Sequence, residues 1–369
     1  MNFKYAIAGL AAFALILSAC ADEPADVPVD DGTDTTEPAD GDEDAAADDE
    51  ETSDLFMISY GGELQVPHRE FLADPFEERH NATVTLVPSE DADFVAQIMA
   101  ARGASPYDVV PLGEPRLPPA IEQGWLAEID EADVPNAADT YPQFLEACKG
   151  YGVPATYSLI GLAYDPERVP APTSWEDFWN EEYDGHRAMT SSASNLGFGF
   201  LLLTAMLNGG DESNMEPIWD ALDDLEPFVV APSPRSLAQL FERGEAGIAP
   251  LWNNDAAVLA ESGFDVEFVL PEPGGIAIVS CMGMVAETAN PELSLELIND
   301  VASVEYQEQA ARLPWAFGVT NMNANVPEES LSYIPSEAAD VEALIQFDWE
   351  TAAEGRSEVT ERFNQQFAS

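Results

Sequence analysis

Hydrophobic residues recur with two different periods from residue 55 onwards. Residues 55–59 form a short apolar run, 63–80 have apolar positions at helical spacing, and 82–87 alternate as a strand does. A second unit follows, with a helix predicted over 91–102 and a buried strand over 107–112. Strands that alternate with helices favour a parallel sheet covered by helices, so the pattern predicts an α/β fold.

Two long strand-like runs, 152–164 and 274–284, lie far apart in the chain. Between them the pattern includes a shorter strand at 246–252. After the second run, Asn290 and Pro291 mark the start of a helix, because asparagine caps and proline suits the first turn. The two long runs suggest that the chain crosses twice between two lobes.

The first 20 residues have a pattern of their own. Lys4 precedes an apolar stretch over 6–17, which is too short for a membrane span and is typical of an export signal. The ending Leu17-Ser18-Ala19-Cys20 resembles a bacterial lipobox, so residues 1–20 are expected to be a lipoprotein signal peptide with Cys20 as its lipidation site. The resemblance implies a protein anchored outside the cytoplasm, in the periplasm or on the outer face of the plasma membrane. The alternative is a secreted protein in which Cys20 has no such role.

Residues 21–54 are strongly acidic. They contain 16 Asp or Glu and no Lys or Arg, with almost no large apolar side chains, so we expect a disordered, self-repelling tether. The remaining residues, 55–369, still carry 54 acidic side chains against 12 basic ones. Such a charge repels nucleic acid and anionic lipid. It serves either to attract cationic solutes or to keep the protein soluble in salt, and both interpretations stay open.

Cysteine and histidine indicate what chemistry to expect. Beyond Cys20 the chain has only Cys148 and Cys281, and a disulfide between them is permitted in an oxidising compartment but not required. No Cys-x-x-Cys motif occurs, and the three histidines lack the spacing of metal ligands, so we predict no metal site and no cofactor. No Gly-x-Ser-x-Gly or His-Glu-x-x-His motif occurs either, which disfavours an anchored hydrolase.

Several short motifs carry a family resemblance by their shared order. They are Ser59-Tyr60-Gly61-Gly62, Ser105-Pro106-Tyr107-Asp108, Gln123-Gly124-Trp125-Leu126, Pro172-Thr173-Ser174-Trp175, Leu240-Phe241-Glu242-Arg243-Gly244-Glu245 and Pro271-Glu272-Pro273-Gly274-Gly275. Over residues 56–369 the chain resembles the solute-binding proteins of bacterial ABC importers. The branch that it resembles contains polyamine, ferric-iron and thiamine binders.

The resemblance implies a two-lobed periplasmic-binding-protein fold of type II. Each lobe would be a mainly parallel sheet flanked by helices, and crossover strands would join the lobes. Residues 55–155 with 283–335 would form lobe 1, 156–282 would form lobe 2, and 336–369 would be C-terminal helices that pack on the lobes.

The implied function is capture of a small organic solute by lobe closure and delivery to a membrane permease, by a monomer with no catalytic residues. The solute would be a polyamine, an amino-acid derivative or another amine-bearing compound. The alternative is a sensing module, built on the same fold, that presents its ligand to a receptor.

By the same resemblance, the cleft is lined by loops at the carboxyl ends of strands and by helix N-termini. The implied ligand contacts are Tyr60, Gly61, Gly62, Glu114, Ser191, Ser194, Asn195, Arg235, Trp252, Asn253, Asp255 and Ser280. Structural alternatives remain for several of them: Tyr60 as a core residue and the serines as helix caps.

Two of these motifs depart from known patterns. The glycine pair lacks the third glycine and the downstream acid of a dinucleotide fingerprint, which favours a tight turn that lets the backbone approach a solute. Polyamine binders of this branch hold ammonium groups with carboxylates on the return strand and on the loop that matches 190–195. Here the return strand has Ser280 and the loop has no acid, so Glu114 and Asp255 are the remaining carboxylate candidates.

Overall fold

Two long antiparallel strands, Val153–Tyr164 and Ile276–Met284, run side by side through the centre of the protein. The computed structural model describes residues 53–89 and 105–367. The predicted signal peptide, Cys20, almost all of the acidic tether and the helix predicted over 91–102 lie outside the described residues.

The described strands are all short except for the central pair. They are β1 (Ser53–Ser59), β2 (Ala82–Pro88), β3 (Val109–Gly113), β4 (Val153–Tyr164), β5 (Ala188–Thr190), β6 (Val229–Ala231), β7 (Ile248–Trp252), β8 (Glu267–Val269) and β9 (Ile276–Met284). The strands predicted from the sequence are thereby confirmed, with bounds that differ by one or two residues.

The described α-helices are mostly amphipathic, with one buried exception. They are α1 (Asp74–His80), α2 (Leu117–Glu122), α3 (Pro142–Ala147), α4 (Asn195–Leu207), α5 (Pro217–Leu225), α6 (Pro234–Glu242), α7 (Asn253–Glu261), α8 (Pro291–Val301), α9 (Val304–Ala310), α10 (Ala338–Glu342) and α11 (Trp349–Gln366). Helix α4 is apolar on all sides and lies in the core, as its sequence of leucine, phenylalanine and glycine requires.

The segment between β1 and β2 is less regular than its helical spacing predicts. A 3₁₀ turn over Gly62–Gln65 is followed by a π-helical turn over His68–Ala73, and only then by α1. Pro75 lies in the first turn of α1, where a missing N–H is tolerated. Pro75 therefore lies where the π-helical geometry changes to α-helical geometry.

The strands form one mixed sheet in the order β2-β1-β3-β9-β4-β7, with β8 also paired to β4. Strand β1 is parallel to β2 and β3, whereas β9 is antiparallel to both β3 and β4. Strand β9 returns along β4 after an intervening 111 residues, which include β7 and β8, both of them paired with β4. A separate parallel pair, β5 and β6, lies within those residues.

The central strands divide the core. On β4, Leu159 belongs to the same hydrophobic cluster as Phe144 and Val279, whereas its neighbour Ile160 belongs to the cluster of Trp175 and Phe200. A further cluster surrounds the β1 end of the sheet. Side chains of α11 join the cluster of Trp175, which fixes the C-terminal helix to that part of the molecule.

The structure joins Cys148 and Cys281 in a disulfide, with their Cα atoms 5.6 Å apart. Both residues are buried, one at the end of α3 and the other in β9. The bond therefore ties a surface helix to a central strand across 133 residues of sequence. Within the described ranges, no helix combines the length and the apolar character that crossing a membrane requires.

Candidate functional site

A cavity of about 320 Å³ lies where the ends of β1, β3 and β7 and the middle of β9 meet the starts of three helices. This volume is at the small end of the usual range for small-molecule sites, roughly 300–1,000 Å³. Of the residues predicted to contact a ligand, the structure brings together at its wall Tyr60, Gly61, Ser194, Asn195, Arg235, Trp252, Asp255 and Ser280.

The turn after β1 supplies the first wall of the cavity. The Tyr60 hydroxyl and Ser280 Oγ are 2.7 Å apart and hydrogen bonded, so the turn is fixed to the crossover strand β9. Gly62 has φ +67°, a conformation that side chains disfavour. A Cβ atom on Gly62 would lie 3.4 Å from Nη2 of Arg235, and one on Gly61 would lie 3.6 Å from the same atom. The end of the Arg235 side chain therefore lies beside the glycine pair, and glycine is favoured at 62 by its backbone conformation.

Helix starts supply the opposite wall. Ser194 caps α4 by accepting a hydrogen bond from the Gly197 N–H at 3.0 Å, and Ser233 caps α6 by accepting one from the Ser236 N–H at 3.2 Å. Helix α7 begins directly after Trp252, so Asp255 lies in its first turn. Three helix N-termini thus border one cavity, and their partial positive charges favour negative groups nearby.

Arginines surround the loop that leads into α4. Arg116 and Arg356 each donate a hydrogen bond to the Ala193 carbonyl, at 3.0 and 3.1 Å. Arg356 also donates to Asn195 Oδ1 at 2.9 Å, and its guanidinium lies 4.7 Å from the centre of the Phe198 ring. The shape of this loop therefore depends on two side chains, Arg116 and Arg356, that are far apart in the sequence.

Four of the predicted contacts lie elsewhere. Gly62 supports the turn without lining the cavity, and Ser191 accepts a hydrogen bond from Ala193 N within its own loop. Asn253 is fully buried: its Oδ1 accepts from Leu159 N at 2.8 Å and its Nδ2 donates to the Ala316 carbonyl at 2.7 Å. The prediction that Asn253 contacts a ligand is therefore not supported, because both ends of its amide hold the backbone together.

Glu114 points into a different cavity. That cavity has a volume of about 210 Å³ and is also lined by Lys149, Trp349 and Glu350. Burial raises the pKa of the Glu114 carboxyl to about 7, although the Val279 N–H, Lys149 and the Trp349 indole act in the opposite direction. Glu114 therefore does not line the cleft cavity in this structure, whereas its neighbour Gly113 does, and its contact with a ligand stays a prediction.

Sequence reasoning missed several residues of the wall, among them Leu64, Phe317 and Arg116. Leu64 and Phe317 supply apolar surface, and Arg116 supplies a second guanidinium beside that of Arg235. Arg116 had one available signal, because it is one of only 13 basic residues in the chain and directly follows a predicted cleft loop. Phe317 had none, since it follows α9 in a segment without a recognisable period.

Residues 72–342 match the family model described as bacterial extracellular solute-binding protein. The chain belongs to this family. Within it, the chain is 28% identical over 201 residues to the spermidine/putrescine-binding periplasmic protein of Escherichia coli K12, a match that covers 52% of this chain and 57% of that relative. The match thus spans less than two thirds of that relative's length. Identity to the gamma-aminobutyric acid-binding protein of Pseudomonas aeruginosa is 24% over 341 residues, covering 87% of this chain and 92% of the relative.

Solved structures share the fold of this solute-binding protein. An ABC transporter substrate-binding protein from Bradyrhizobium japonicum superposes with a TM-score of 0.72 at 21% identity, covering 86% of this chain and all of that one. A periplasmic binding protein from A. tumefaciens B6, solved with glucopine, gives 0.72 at 19% identity, with 85% and 99% covered. The two-lobed α/β fold predicted from the sequence is confirmed.

Proposed function

We propose that this solute-binding protein is the capture component of an ABC importer. The observation that supports the proposal is the composition of the cavity wall. Tyr60 and Gly61 come from the lobe assigned to 55–155 with 283–335, whereas Trp252 and Asp255 come from the lobe assigned to 156–282. A solute between them touches both lobes, so it favours the closed arrangement over an open one.

The proposed solute is a small organic compound that carries an amine. Asp255 is the one carboxylate side chain among the described residues of the wall, and it provides a partner for an ammonium group. Tyr60 and Trp252 add aromatic faces, which attract cations and pack on short alkyl chains. The names of the two relatives, a spermidine/putrescine binder and a gamma-aminobutyric acid binder, agree with an amine.

Anchoring and delivery belong to the same proposal. A lipid on Cys20 would hold the protein at the outer face of the membrane, and the acidic stretch 21–54 would give the binding unit reach to a permease. The anchor is tested by replacing residues 1–20 with a signal peptide that lacks a lipidation site and comparing the protein in membrane and soluble fractions. The replacement is expected to move the protein from the membrane fraction to the soluble fraction. Loss of solute uptake in cells that lack this protein, and its recovery on re-expression, tests the delivery.

A thermal-shift screen of the purified protein tests solute capture. The panel holds diamines, polyamines, ω-amino acids and amino alcohols, and a ligand at 100 times its Kd stabilises the native state by about 2.7 kcal/mol. Asp255→Asn is expected to abolish the shift. Glu261→Gln, at the exposed end of the same helix, is expected to leave the shift unchanged and is the matched control. If no amine raises the melting temperature, the proposed solute class is wrong.

A further inference from the structure

The charge of the cleft is opposite to the charge of the molecule. The chain has 70 acidic residues and 13 basic ones, yet the described residues of the cavity wall include two arginines, Arg116 and Arg235, and one acid, Asp255. A site for a diamine or polyamine needs the reverse ratio, since each ammonium group must find a negative partner when it leaves water. The excess of positive charge indicates a ligand with a negative group.

Helix ends add to this positive charge. The N-termini of α4, α6 and α7 border the cavity, and the first two are longer than eight residues and capped by serines that also line the wall. Their partial charges act together with the guanidinium groups. Among the described residues of the wall, Asp255, in the first turn of α7, is the one negative side chain in this field.

Arg235 is the basic residue best placed to meet a solute. It lies in the first turn of α6 and reaches across the cavity to the glycine pair, with Nη2 3.4 to 3.6 Å from the positions that side chains on Gly62 and Gly61 would occupy. Its side chain is exposed, and within residues 53–89 and 105–367 it makes no hydrogen bond or ion pair. Arg116, by contrast, already donates to the Ala193 carbonyl.

We infer that the cleft selects solutes that carry a carboxylate as well as an amine, and that Arg235 recognises the carboxylate. The inference rests on the proposed function, because it names the solute of the same cavity. A guanidinium binds a carboxylate through two parallel hydrogen bonds, and the exposed guanidinium of Arg235 lies at the cavity wall beside Gly61 and Gly62. Asp255 binds the ammonium end, so the preferred class is a short ω-amino acid or an amino-acid derivative.

Ligands matched in length measure the contributions of the carboxylate and the ammonium group to binding separately. The probes are ω-amino acids of three to six carbons, each compared with the amino alcohol and the diamine of equal length, by calorimetric titration of the purified protein. The amino alcohol keeps the ammonium group and replaces the carboxylate with a neutral hydroxyl. At least one ω-amino acid is expected to bind about 10- to 100-fold more tightly than its amino alcohol, the usual loss when a charged hydrogen bond is removed.

Variants assign the effect to Arg235. Arg235→Gln is expected to weaken ω-amino acid binding about 10- to 100-fold while leaving the amino alcohol within threefold of its original affinity. Arg243→Gln makes the same charge change at the other end of α6, where Arg243 is exposed and paired with Glu245, and it is expected to change neither affinity. Since Arg235 is exposed, both variants are expected to keep the melting temperature of the unliganded protein.

The outcomes distinguish this inference from the proposed function. If the diamines or amino alcohols bind as tightly as the ω-amino acids, the carboxylate is not selected and the inference fails while the proposed function stands. If ω-amino acids bind best but Arg235→Gln binds them unchanged, the assignment to Arg235 is overturned. If no amine of the three sets binds, the proposed function fails, and the inference fails with it.

Discussion

Acidification is expected to destabilise this protein through one buried histidine. The ring of His68 lies beneath the cleft turn, with Nδ1 hydrogen bonded to Ser59 Oγ at 2.7 Å and its ring stacked 5.5 Å from that of Tyr60. Burial lowers the pKa of His68 from 6.5 to about 4. The folded protein therefore keeps the ring neutral at a pH where the unfolded chain binds a proton.

The sign and size of the effect follow from linkage. Because the folded pKa is depressed, the contribution of His68 to stability is complete above pH 6.5 and is lost as the pH falls towards 4. Between pH 7.5 and 4.5 the loss is roughly 2.5 kcal/mol of unfolding free energy. Protonation makes both ring nitrogens donors, so in the tautomer whose Nδ1 accepts from the Ser59 hydroxyl it converts that acceptor into a donor.

Denaturant unfolding at several pH values measures this loss. The variant His68→Gln keeps a polar amide near Ser59 but has no titrating side chain at this position. The carboxyl groups elsewhere titrate in both proteins, so the difference in unfolding free energy between the two isolates His68. The wild type is expected to lose roughly 2.5 kcal/mol relative to His68→Gln between pH 7.5 and 4.5. A difference between the two proteins that stays constant with pH would refute the burial of a neutral His68. An NMR titration of the ring in the wild type gives the folded pKa independently.

Three further predictions concern stability. The pKa of Glu114 is raised to about 7, so ionisation of its buried carboxyl lowers the unfolding free energy as the pH rises from 4.5 through 7. In denaturant titrations, the unfolding free energy of Glu114→Gln minus that of the wild type is expected to increase by roughly 3 kcal/mol between pH 4.5 and 8. A difference that does not increase would contradict the burial of Glu114. Replacing Cys148 and Cys281 with serine is expected to cost about 2–5 kcal/mol, and a variant as stable as the oxidised wild type would show that the disulfide contributes nothing. Residues 55–369 carry 54 acidic side chains against 12 basic ones, so the acidic side chains repel one another. Salt screens this repulsion, and the melting temperature is expected to rise between 0.1 and 2 M NaCl. A fall would mean that ion pairs contribute more to stability than the repulsion removes.

Strands could be predicted from the sequence because their burial pattern is local. Strand β3 is buried at every position, and β4 and β9 are buried along almost their whole length, so each reads as a continuous apolar run. The segment after β1 could not be predicted as well. Its apolar spacing fits a helix, but the change from 3₁₀ to π to α geometry is imposed by packing against β2 and α8, which the spacing does not encode.

The cleft was predicted as a set of loops more accurately than as a set of side chains. Gly113 and Glu114 are neighbours in one predicted loop, yet the first lines the cleft and the second lines the other cavity. Trp252 and Asn253 separate in the same way, because the helix that begins between them turns the asparagine into the core. A family motif locates a loop, whereas the direction of each side chain depends on backbone geometry that only the folded protein defines.

Arg116 and Arg356, which both donate to the Ala193 carbonyl, are synthesised far apart in time, and this separates the synthesis of the cleft loop from its fixation. Strand β9 lies between β3 and β4 although it is synthesised after both, and Arg356 fixes the cleft loop from a helix that ends at Gln366. A growing chain therefore has the loops of the cleft long before it has the parts that hold them in place. On the proposed function, capture of a solute requires the chain at least as far as Arg356, so a copy that ends before α11 is expected to bind none.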